Sequence, residues 1–247
     1  MRVGDRLGYN LPENGCGGTG RFKELLRRVS IFSDLDDEAL ALLEDLVHER
    51  TVLKDCCIVG QNEPGDSLFI VARGRAKAVL YGQTGREITL YIFEEGDFFG
   101  EMSLIDNQPR SVSVEAQEET TLLVLKRDAF QRFISENPQT ALSVLREMSR
   151  RLRNADEIIG SLALLDVYGR VARMLRDMAA RGGEATDGGV LIRHRPTQQE
   201  LASMLGTSRE TVSRVLGDMA RRGFIEVSGK KVLLRNSFLM DEGIMRL

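Results

Sequence analysis

Residues 197–216, TQQELASMLGTSRETVSRVL, predict two short helices joined by a tight turn. Two T-x-x-E pairs, which have the spacing of a capping box, mark the helix starts at Thr197 and Thr207. Gly206 lies between the two helices, where glycine adopts the left-handed backbone of a tight turn at little cost. The segment therefore has the pattern of a helix-turn-helix.

The second helix begins with polar side chains that are suited to reading bases. Arg209, Glu210 and Arg214 fall in its first two turns, and residues four apart share a helix face. Arginine donates to guanine O6 and N7 in the major groove, and glutamate accepts from the cytosine N4 amine. The sequence thus predicts a sequence-specific DNA-binding protein; the alternative is a helical hairpin whose charges face water. Further DNA contacts are expected from Thr197, Thr207, Ser208, Ser213 and Lys230.

The residues that follow the motif predict the wing of a winged helix. Two short β segments, 224–227 and 232–234, flank a Ser-Gly-Lys turn and so form a hairpin. Lys230 at its tip either contacts phosphate or is a plain solvated turn residue. Residues 168–235 hold 13 Lys and Arg against 7 Asp and Glu, a net charge of +6, which leaves −9 on the rest of the chain. A basic DNA-binding part joined to an acidic remainder is the charge distribution expected of a DNA-binding regulator.

The amino-terminal part predicts β-structure followed by a long helix. Over residues 51–125, short β-rich runs alternate with glycine turns, which is typical of a sandwich or roll. From about residue 138 to 165, apolar residues recur at spacings of four and three, the pattern of a coiled-coil seam. This predicts a dimer-forming helix; the alternative is a stripe that packs on the chain's own sheet. The seam consists of Ala141, Leu145, Met148, Leu152, Ala155, Ile159 and Leu162.

The segment FFGEMSLIDNQPRSVSV, residues 98–114, has the residue types of an anion site. Gly100 permits close backbone approach just before a helix start. Arg110 and Ser111 supply hydrogen-bond donors for a phosphate, and Glu101 is suited to accept from a ribose hydroxyl. The residues alone leave two interpretations open: a sugar-phosphate site, or a Glu–Arg pair that braces a loop.

Several classes of function have no support in the sequence. No apolar run approaches the roughly 18 residues of a membrane span, and the start, MRVGDRLGYN, has no signal-peptide core. We therefore expect a cytoplasmic protein with no membrane partner. Cys16, Cys56 and Cys57 form no C-x-x-C pair, so we expect no metal, haem or iron–sulfur cluster. No nucleophile elbow, Walker motif or zinc-ligand spacing is present, so we do not expect an enzyme.

Between residues 22 and 234 the chain resembles the Crp/Fnr family of bacterial transcription factors. The resemblance rests on four motifs in the family's order: EPGDSLFIVARG (63–74), EGDFFGEMSLIDNQPRSVS (95–113), LALLDVYGRVARML (162–175) and SRETVSRVL (208–216). It implies an α+β chain with a cyclic-nucleotide-binding β-roll (jelly roll), a long dimerisation helix and a C-terminal winged helix-turn-helix. The expected divisions are a disordered tail (1–20), a sensor domain (21–136), a central helix (137–166), a DNA-binding domain (167–235) and a tail (236–247).

The resemblance also implies partners and site residues. Arg209, Glu210 and Arg214 are expected to read a palindrome with GTG-like half-site cores, in a homodimer that also contacts RNA polymerase. Where cyclic-AMP receptor proteins of the family carry a Thr-Ser pair that contacts adenine, this chain has Ala155 and Asp156. The expected cyclic nucleotide is therefore not fixed as cyclic AMP. The ligand positions fall on Gly100, Glu101, Met102, Arg110, Ser111, Val112, Ala155 and Asp156, with Val112 in place of the family's smaller alanine.

Three functions stay open at this point. The first is a Crp/Fnr-type regulator controlled by a cyclic nucleotide, and the second is the same regulator with a vestigial pocket and no ligand. The third is a nucleotide-responsive module that regulates a partner enzyme. Nucleotide titration separates the first from the second, whereas the third predicts no affinity for DNA.

Overall fold

The computed structural model describes residues 20–82 and 87–240. Residues 1–19 and 241–247, which the sequence assigns to two tails, lie outside the described residues. In chain order the amino-terminal part contains α1 (Lys23–Arg28), α2 (Asp37–Leu46), β1 (Val47–Val52), β2 (Cys57–Val59), β3 (Ser67–Arg73), β4 (Ala76–Tyr81), β5 (Glu87–Phe93), β6 (Phe98–Phe99), α3 (Glu101–Asp106), β7 (Ser113–Ala116), β8 (Thr120–Lys126) and α4 (Arg127–Glu136).

The eight strands form two antiparallel sheets, in the orders β1-β8-β3-β6 and β2-β7-β4-β5. Side chains alternate between the two faces of a strand, and β3 uses both faces. Leu68 and Ile70 pack with α1, α2 and α4 on one side, whereas Phe69 and Val71 pack against the second sheet. The predicted roll is therefore confirmed, with one core between the sheets and another beneath the helices.

Helix α5 (Pro138–Leu164) leaves the roll as a single helix of 27 residues. Proline at its start is compatible with a helix because the first turn needs no intrahelical donor there. Val144 is buried and Met148 packs against the core of the roll. By contrast, the seam residues Leu145, Leu152 and Ile159 are 61%, 64% and 62% exposed. Most of the apolar stripe is thus not covered by the described part of this chain.

The carboxy-terminal domain is a winged helix-turn-helix. Its elements are α6 (Val167–Gly182), β9 (Glu184–Thr186), β10 (Gly189–Ile192), α7 (Gln198–Leu205), α8 (Arg209–Arg221), β11 (Ile225–Ser228), β12 (Lys231–Arg235) and α9 (Asn236–Met240). The strands form one sheet in the order β11-β12-β10-β9. The capping box of Thr197 and Glu200 is confirmed, and Gly206 ends α7 with a φ of +63°. The predicted α+β class, with a β-roll, a long helix and a carboxy-terminal winged helix-turn-helix, is therefore confirmed.

Two local predictions are wrong. The second cap is Ser208 rather than Thr207, because the Ser208 hydroxyl accepts from the backbone N–H of Thr211. The Thr207 backbone N–H still bonds to the Ala202 carbonyl at the end of α7, so α8 begins one residue later than predicted. Residues 236–240 are not a tail but helix α9, because Phe238 is fully buried in the domain core.

No helix within residues 20–82 and 87–240 is both long enough and apolar enough to cross a membrane.

Candidate nucleic-acid interface and ligand cradle

Helix α8 separates its apolar and polar side chains onto opposite sides. Val212, Val215, Leu216 and Met219 are buried, and this anchors the helix on the domain core. The exposed side, which we call the reading face, consists of Arg209, Glu210, Ser213 and Arg214. A hydrogen bond with its own backbone amide, and then the Ser208 hydroxyl, lower the pKa of the Glu210 carboxyl. Glu210 is therefore ionised at neutral pH and acts only as an acceptor.

A cleft of about 430 Å³ joins the start of α8 to the wing. Thr197 at the start of α7, Arg209 of the reading face and Lys230 at the wing tip all line it. The structure therefore brings together three residues that the sequence predicts to contact DNA. The cationic residues Arg195, Arg209 and Lys230 line the cleft with no carboxylate among its described lining residues. This charge is suited to backbone phosphates.

Arg195 was missed by the sequence analysis. Its backbone N–H donates to the Lys230 carbonyl at 2.9 Å. Its guanidinium donates to the Gly229 carbonyl at 3.1 Å and to the Pro196 carbonyl at 3.0 Å. Arg195 thereby fastens the wing turn to the start of α7. No periodicity marks such a residue, because its partner Gly229 in the wing turn lies 34 positions away in sequence.

Thr207 lies away from this cleft. With Ser203 it lines a separate polar crevice of about 480 Å³, where α7 faces Lys77 and Glu87 of the roll. Ser208 serves as the helix cap, as described above. The predicted DNA contacts are therefore split between the reading face, the wing cleft and the turn between α7 and α8.

The second site lies around Gly100, Glu101, Arg110 and Ser111, which we call the cradle. Gly100 precedes α3 with a φ of +90°, and Arg110 is only 6% exposed. The Arg110 guanidinium donates to the Gly100 carbonyl and to the Ser67 carbonyl, each at 2.7 Å. A Cβ on Gly100 would lie 2.5 Å from Arg110 Nη1 and 2.9 Å from the Ser67 oxygen. Both the backbone conformation and the packing thus require glycine.

Glu101 is 1% exposed and pairs with Arg151 of α5, not with Arg110. The Arg151 Nη1 to Glu101 Oε1 distance is 3.0 Å. Burial raises the pKa of the Glu101 carboxyl, an effect that the Arg151 charge opposes. Glu101 Oε2 and Arg110 Nε are buried and have no hydrogen-bond partner in the described chain. Such atoms are rare in folded proteins and often mark a place where a ligand or water binds.

Arg151 connects the cradle to the long helix, and sequence reasoning missed it. It donates to the Phe98 carbonyl at 2.6 Å and to Glu147 at 3.0 Å. Its guanidinium lies 4.6 Å from the centroid of the Phe98 ring. The spacing of Glu147 and Arg151, four apart on a helix, is a visible signal, whereas the pairing with Glu101 spans 50 residues.

The remaining predicted ligand residues are more loosely placed. Met102 is 47% exposed, and the Ser111 hydroxyl lies 3.8 Å from its sulfur. Val112 packs against the core between the two sheets. Ala155, a member of the uncovered seam, and the adjacent Asp156 lie exposed on α5, about one turn beyond Arg151. Among the described residues no group of three or more His, Cys, Asp or Glu could hold a metal ion.

Two family models match the chain. A cyclic nucleotide-binding domain matches residues 49–137, which include the cradle, and a Crp-like helix-turn-helix domain matches residues 169–237, which include the reading face. A CRP-like cAMP-activated global transcriptional regulator of Mycobacterium tuberculosis is 36% identical over 214 residues, 87% of this chain and 96% of the relative. The cyclic AMP receptor protein of Thermus thermophilus is 34% identical over 86% of this chain and 95% of its own length.

Solved structures agree on the architecture. The c-di-GMP-responsive global regulator CLP of Xanthomonas campestris superposes with a TM-score of 0.70 at 25% identity, covering 81% of this chain and all of that one. A CooA mutant from Carboxydothermus hydrogenoformans gives a TM-score of 0.75 at 24% identity, covering 95% of this chain and 98% of that one. At this identity the second likeness supports the fold alone.

Proposed function

The chain belongs to the Crp/Fnr family of transcription regulators, with a cyclic nucleotide-binding domain and a Crp-like helix-turn-helix domain, and from this premise we propose that it binds palindromic DNA as a homodimer under the control of a cyclic nucleotide. The observation that carries the proposal is the exposed reading face beside the cationic wing cleft. RNA polymerase is the further partner that the family implies.

The reading face supports recognition of G·C pairs in the major groove. Arg209 and Arg214 offer the planar fork that binds guanine O6 and N7, and the ionised Glu210 accepts from cytosine N4. These contacts favour a GTG-like core in each half-site. Lys230 and Thr197 line the same cleft as Arg209, which supports contacts from them to the DNA backbone that would fix the register of α8.

The uncovered stripe on α5 supports the homodimer. Leu145, Leu152 and Ile159 are large apolar side chains with more than half of their surface exposed in the single chain. Contiguous exposed apolar surface of this kind marks an interaction site. Pairing of two α5 helices would cover the stripe. Two reading heads that enter successive major grooves must then lie about 34 Å apart, one helical turn of DNA.

The cradle supports an anionic ligand that carries a sugar. We propose that a cyclic phosphate replaces the Gly100 and Ser67 carbonyls as the hydrogen-bond acceptor of Arg110 Nη1 and Nη2. Glu101 Oε2 then accepts a hydrogen bond from the ribose hydroxyl. The relatives named above as cAMP-activated or as a cyclic AMP receptor favour this class of ligand. Ala155 offers no side-chain hydrogen bond to a base, so we leave the base open.

A ligand-independent regulator is the second candidate, and one observation favours it. Both terminal nitrogens of Arg110 already have carbonyl partners, and Glu101 Oε1 is held by Arg151. A cradle in which these three atoms already have partners can hold its shape without a ligand, and of the cradle's described side chains only Glu101 Oε2 and Arg110 Nε are then left without a hydrogen bond. The third interpretation, a regulatory module for a partner enzyme, leaves the reading face without a role.

The experiment that tests the proposal is a selection of bound sequences from random duplex DNA. The full chain is used alone, with cyclic AMP and with cyclic GMP. Enrichment of a palindrome with GTG-like cores only when a nucleotide is present supports the whole proposal. The same enrichment without nucleotide, together with calorimetry that detects no nucleotide binding, identifies the ligand-independent regulator. No enrichment under any condition contradicts the proposed DNA reading.

A further inference from the structure

The cradle is braced from behind by a residue that none of the motifs singles out. We propose that Arg127, the first residue of α4, is a positioning residue that holds α3 and residues 65–67, which lead into β3, in the geometry that Arg110 needs. This inference rests on the proposed nucleotide function, which it deepens. Arg127 itself would not touch the ligand.

The first set of contacts runs from Arg127 to the end of α3. Its Nη2 donates to the Ser103 carbonyl at 2.9 Å, and its Nη1 donates to the Leu104 carbonyl at 3.4 Å and to Asn107 Oδ1 at 2.5 Å. Ser103 and Leu104 lie in the last turn of α3, where helix carbonyls have no intrahelical donor. Arg127 supplies those donors and also a positive charge at the helix C-terminus, where it is favourable.

Helix α3 needs such support because it has only six residues. A helix of this length is not stable by itself, since one or two turns do not offset the cost of nucleation. Its last residue is followed by Asn107 with a φ of 57°, a left-handed conformation that ends the helix. The guanidinium of Arg127 therefore fixes the end of α3. Because the helix is short and rigid, this also fixes the position of Glu101 at its start.

The second set of contacts runs from Arg127 to the loop behind Arg110. Its Nη2 donates to the Gly65 carbonyl, and its backbone N–H donates to the Asp66 carbonyl at 2.8 Å. Arg110 holds the next residue, because it donates to the Ser67 carbonyl at 2.7 Å. The two arginines thus hydrogen-bond to three consecutive carbonyls of the same short segment.

The packing at Gly65 shows how closely these parts are joined. A Cβ on Gly65 would lie 2.6 Å from Arg110 Nε and 2.6 Å from the Ser103 Cβ. Gly65 is therefore wedged between the side chain of Arg110 and α3. A shift of either the loop or α3 must displace Arg110, and Arg127 is the residue that bonds to both.

A purely electrostatic role for Arg127 is the competing explanation. Burial is the main cause that lowers the pKa of the Arg110 guanidinium, and the nearby charge of Arg127 also lowers it. A second positive charge close to Arg110 would attract an anion even without bracing the loop. Lysine separates the two roles, because it keeps the charge and loses the planar fork that reaches several carbonyls at once.

The first test measures amide hydrogen exchange in the ligand-free full chain. Arg127→Lys and Arg127→Gln are compared with Arg132→Lys, a control on the exposed face of the same helix. We expect both Arg127 variants to raise exchange over residues 101–110 by about tenfold or more, as when one or two hydrogen bonds to a charged group are lost. Exchange in β8 and in the DNA-binding domain should match the control. Unchanged exchange over residues 101–110, or a rise throughout the roll, overturns the proposal.

The second test titrates the same variants with cyclic AMP and cyclic GMP by calorimetry at low and high salt. We expect Arg127→Lys to weaken binding of the nucleotide by about tenfold, as much as Arg127→Gln does, at either salt concentration. If Arg127→Lys keeps the nucleotide affinity of the unmodified chain, and the loss of affinity in Arg127→Gln shrinks at high salt, the role of Arg127 is electrostatic and the bracing role is overturned. If the unmodified chain binds neither nucleotide, the proposed ligand control fails, while the exchange result still decides the role of Arg127.

Discussion

Replacement of Gly100 by alanine tests the geometry of the cradle most sharply. Gly100 has a φ of +90°, and a Cβ there would meet Arg110 Nη1 at 2.5 Å and the Ser67 oxygen at 2.9 Å. One neighbour is backbone and the other is the bonded end of a buried guanidinium, so neither moves cheaply. The variant must therefore accept backbone strain and displace Arg110 from its carbonyl partners.

The size of the effect follows from these two costs. A non-glycine residue held in a left-handed conformation costs about 1–3 kcal/mol. Loss of a hydrogen bond from a charged donor, such as Arg110 Nη1 to the Gly100 carbonyl, costs about 1.5–3 kcal/mol. Since relaxation of the loop recovers part of the sum, we expect Gly100→Ala to lower the free energy of unfolding of the roll by about 2–5 kcal/mol.

The assay is urea unfolding followed by circular dichroism, because the chain contains no tryptophan for fluorescence. Gly217→Ala is the matched control, since Gly217 lies inside α8 with nothing within 4 Å of its Cβ position. Alanine in a helix interior is favoured over glycine by about 0.5–1 kcal/mol, so this control should be neutral or stabilising. A Gly100→Ala protein as stable as the unmodified chain would refute the packing of Arg110 against Gly100.

Three further predictions concern the reading face, the seam and the last helix. Arg209→Ala should weaken binding to the specific DNA site by about 1–3 kcal/mol and relax the preference at one base position. Lys230→Ala should instead weaken binding to all DNA sequences alike and lower the salt slope of the affinity by about one. Base-resolved binding profiles at several salt concentrations check both. If the proposed α5-paired homodimer forms, Leu152→Asp should convert it to monomer in sedimentation, because it places a charge in the seam, and an unchanged dimer would contradict the proposed role of α5. Phe238→Ala should destabilise the carboxy-terminal domain by about 3–5 kcal/mol, and a negligible change in thermal unfolding would return residues 236–240 to a tail.

The helix-turn-helix was predictable because its signals are local. The capping box at Thr197 and the turn at Gly206 each depend on residues within one or two turns. The one-residue error at the start of α8 has the same origin. Thr207 and Ser208 are adjacent hydroxyl residues that both suit a cap, and the bond from the Thr207 N–H back to Ala202 decides between them.

The cradle was only partly predictable, because its partners are distant in sequence. The residue types at Gly100 and Arg110 indicated an anion site, but Arg110 donates to Ser67, 43 residues away. The sequence offered a pair between Glu101 and an arginine as an alternative, and the partner is Arg151 of α5 rather than Arg110. Only the packing of α5 against α3 and the roll brings these side chains together.

The burial of Phe238 illustrates a third kind of limit. A short segment after the last strand has no periodicity, so nothing in its local pattern predicts a helix. Its ring lies 6.4 Å from that of Phe224, centroid to centroid, and completes the core of the carboxy-terminal domain. Tertiary packing, rather than local propensity, makes residues 236–240 helical.

The most direct test of the central claim is the affinity of the full chain for two duplexes that differ only in half-site spacing. One carries two GTG-like half-sites about 34 Å apart, and the other carries the same half-sites separated by an extra half-turn of DNA. At physiological salt, with any nucleotide that the chain binds, we expect the chain to bind the first duplex at least about 10³-fold more tightly than non-specific DNA. We expect the second duplex to lose most of this advantage. Equal affinity for both duplexes and for random DNA, or no binding even at low salt, would contradict a paired, base-reading α8.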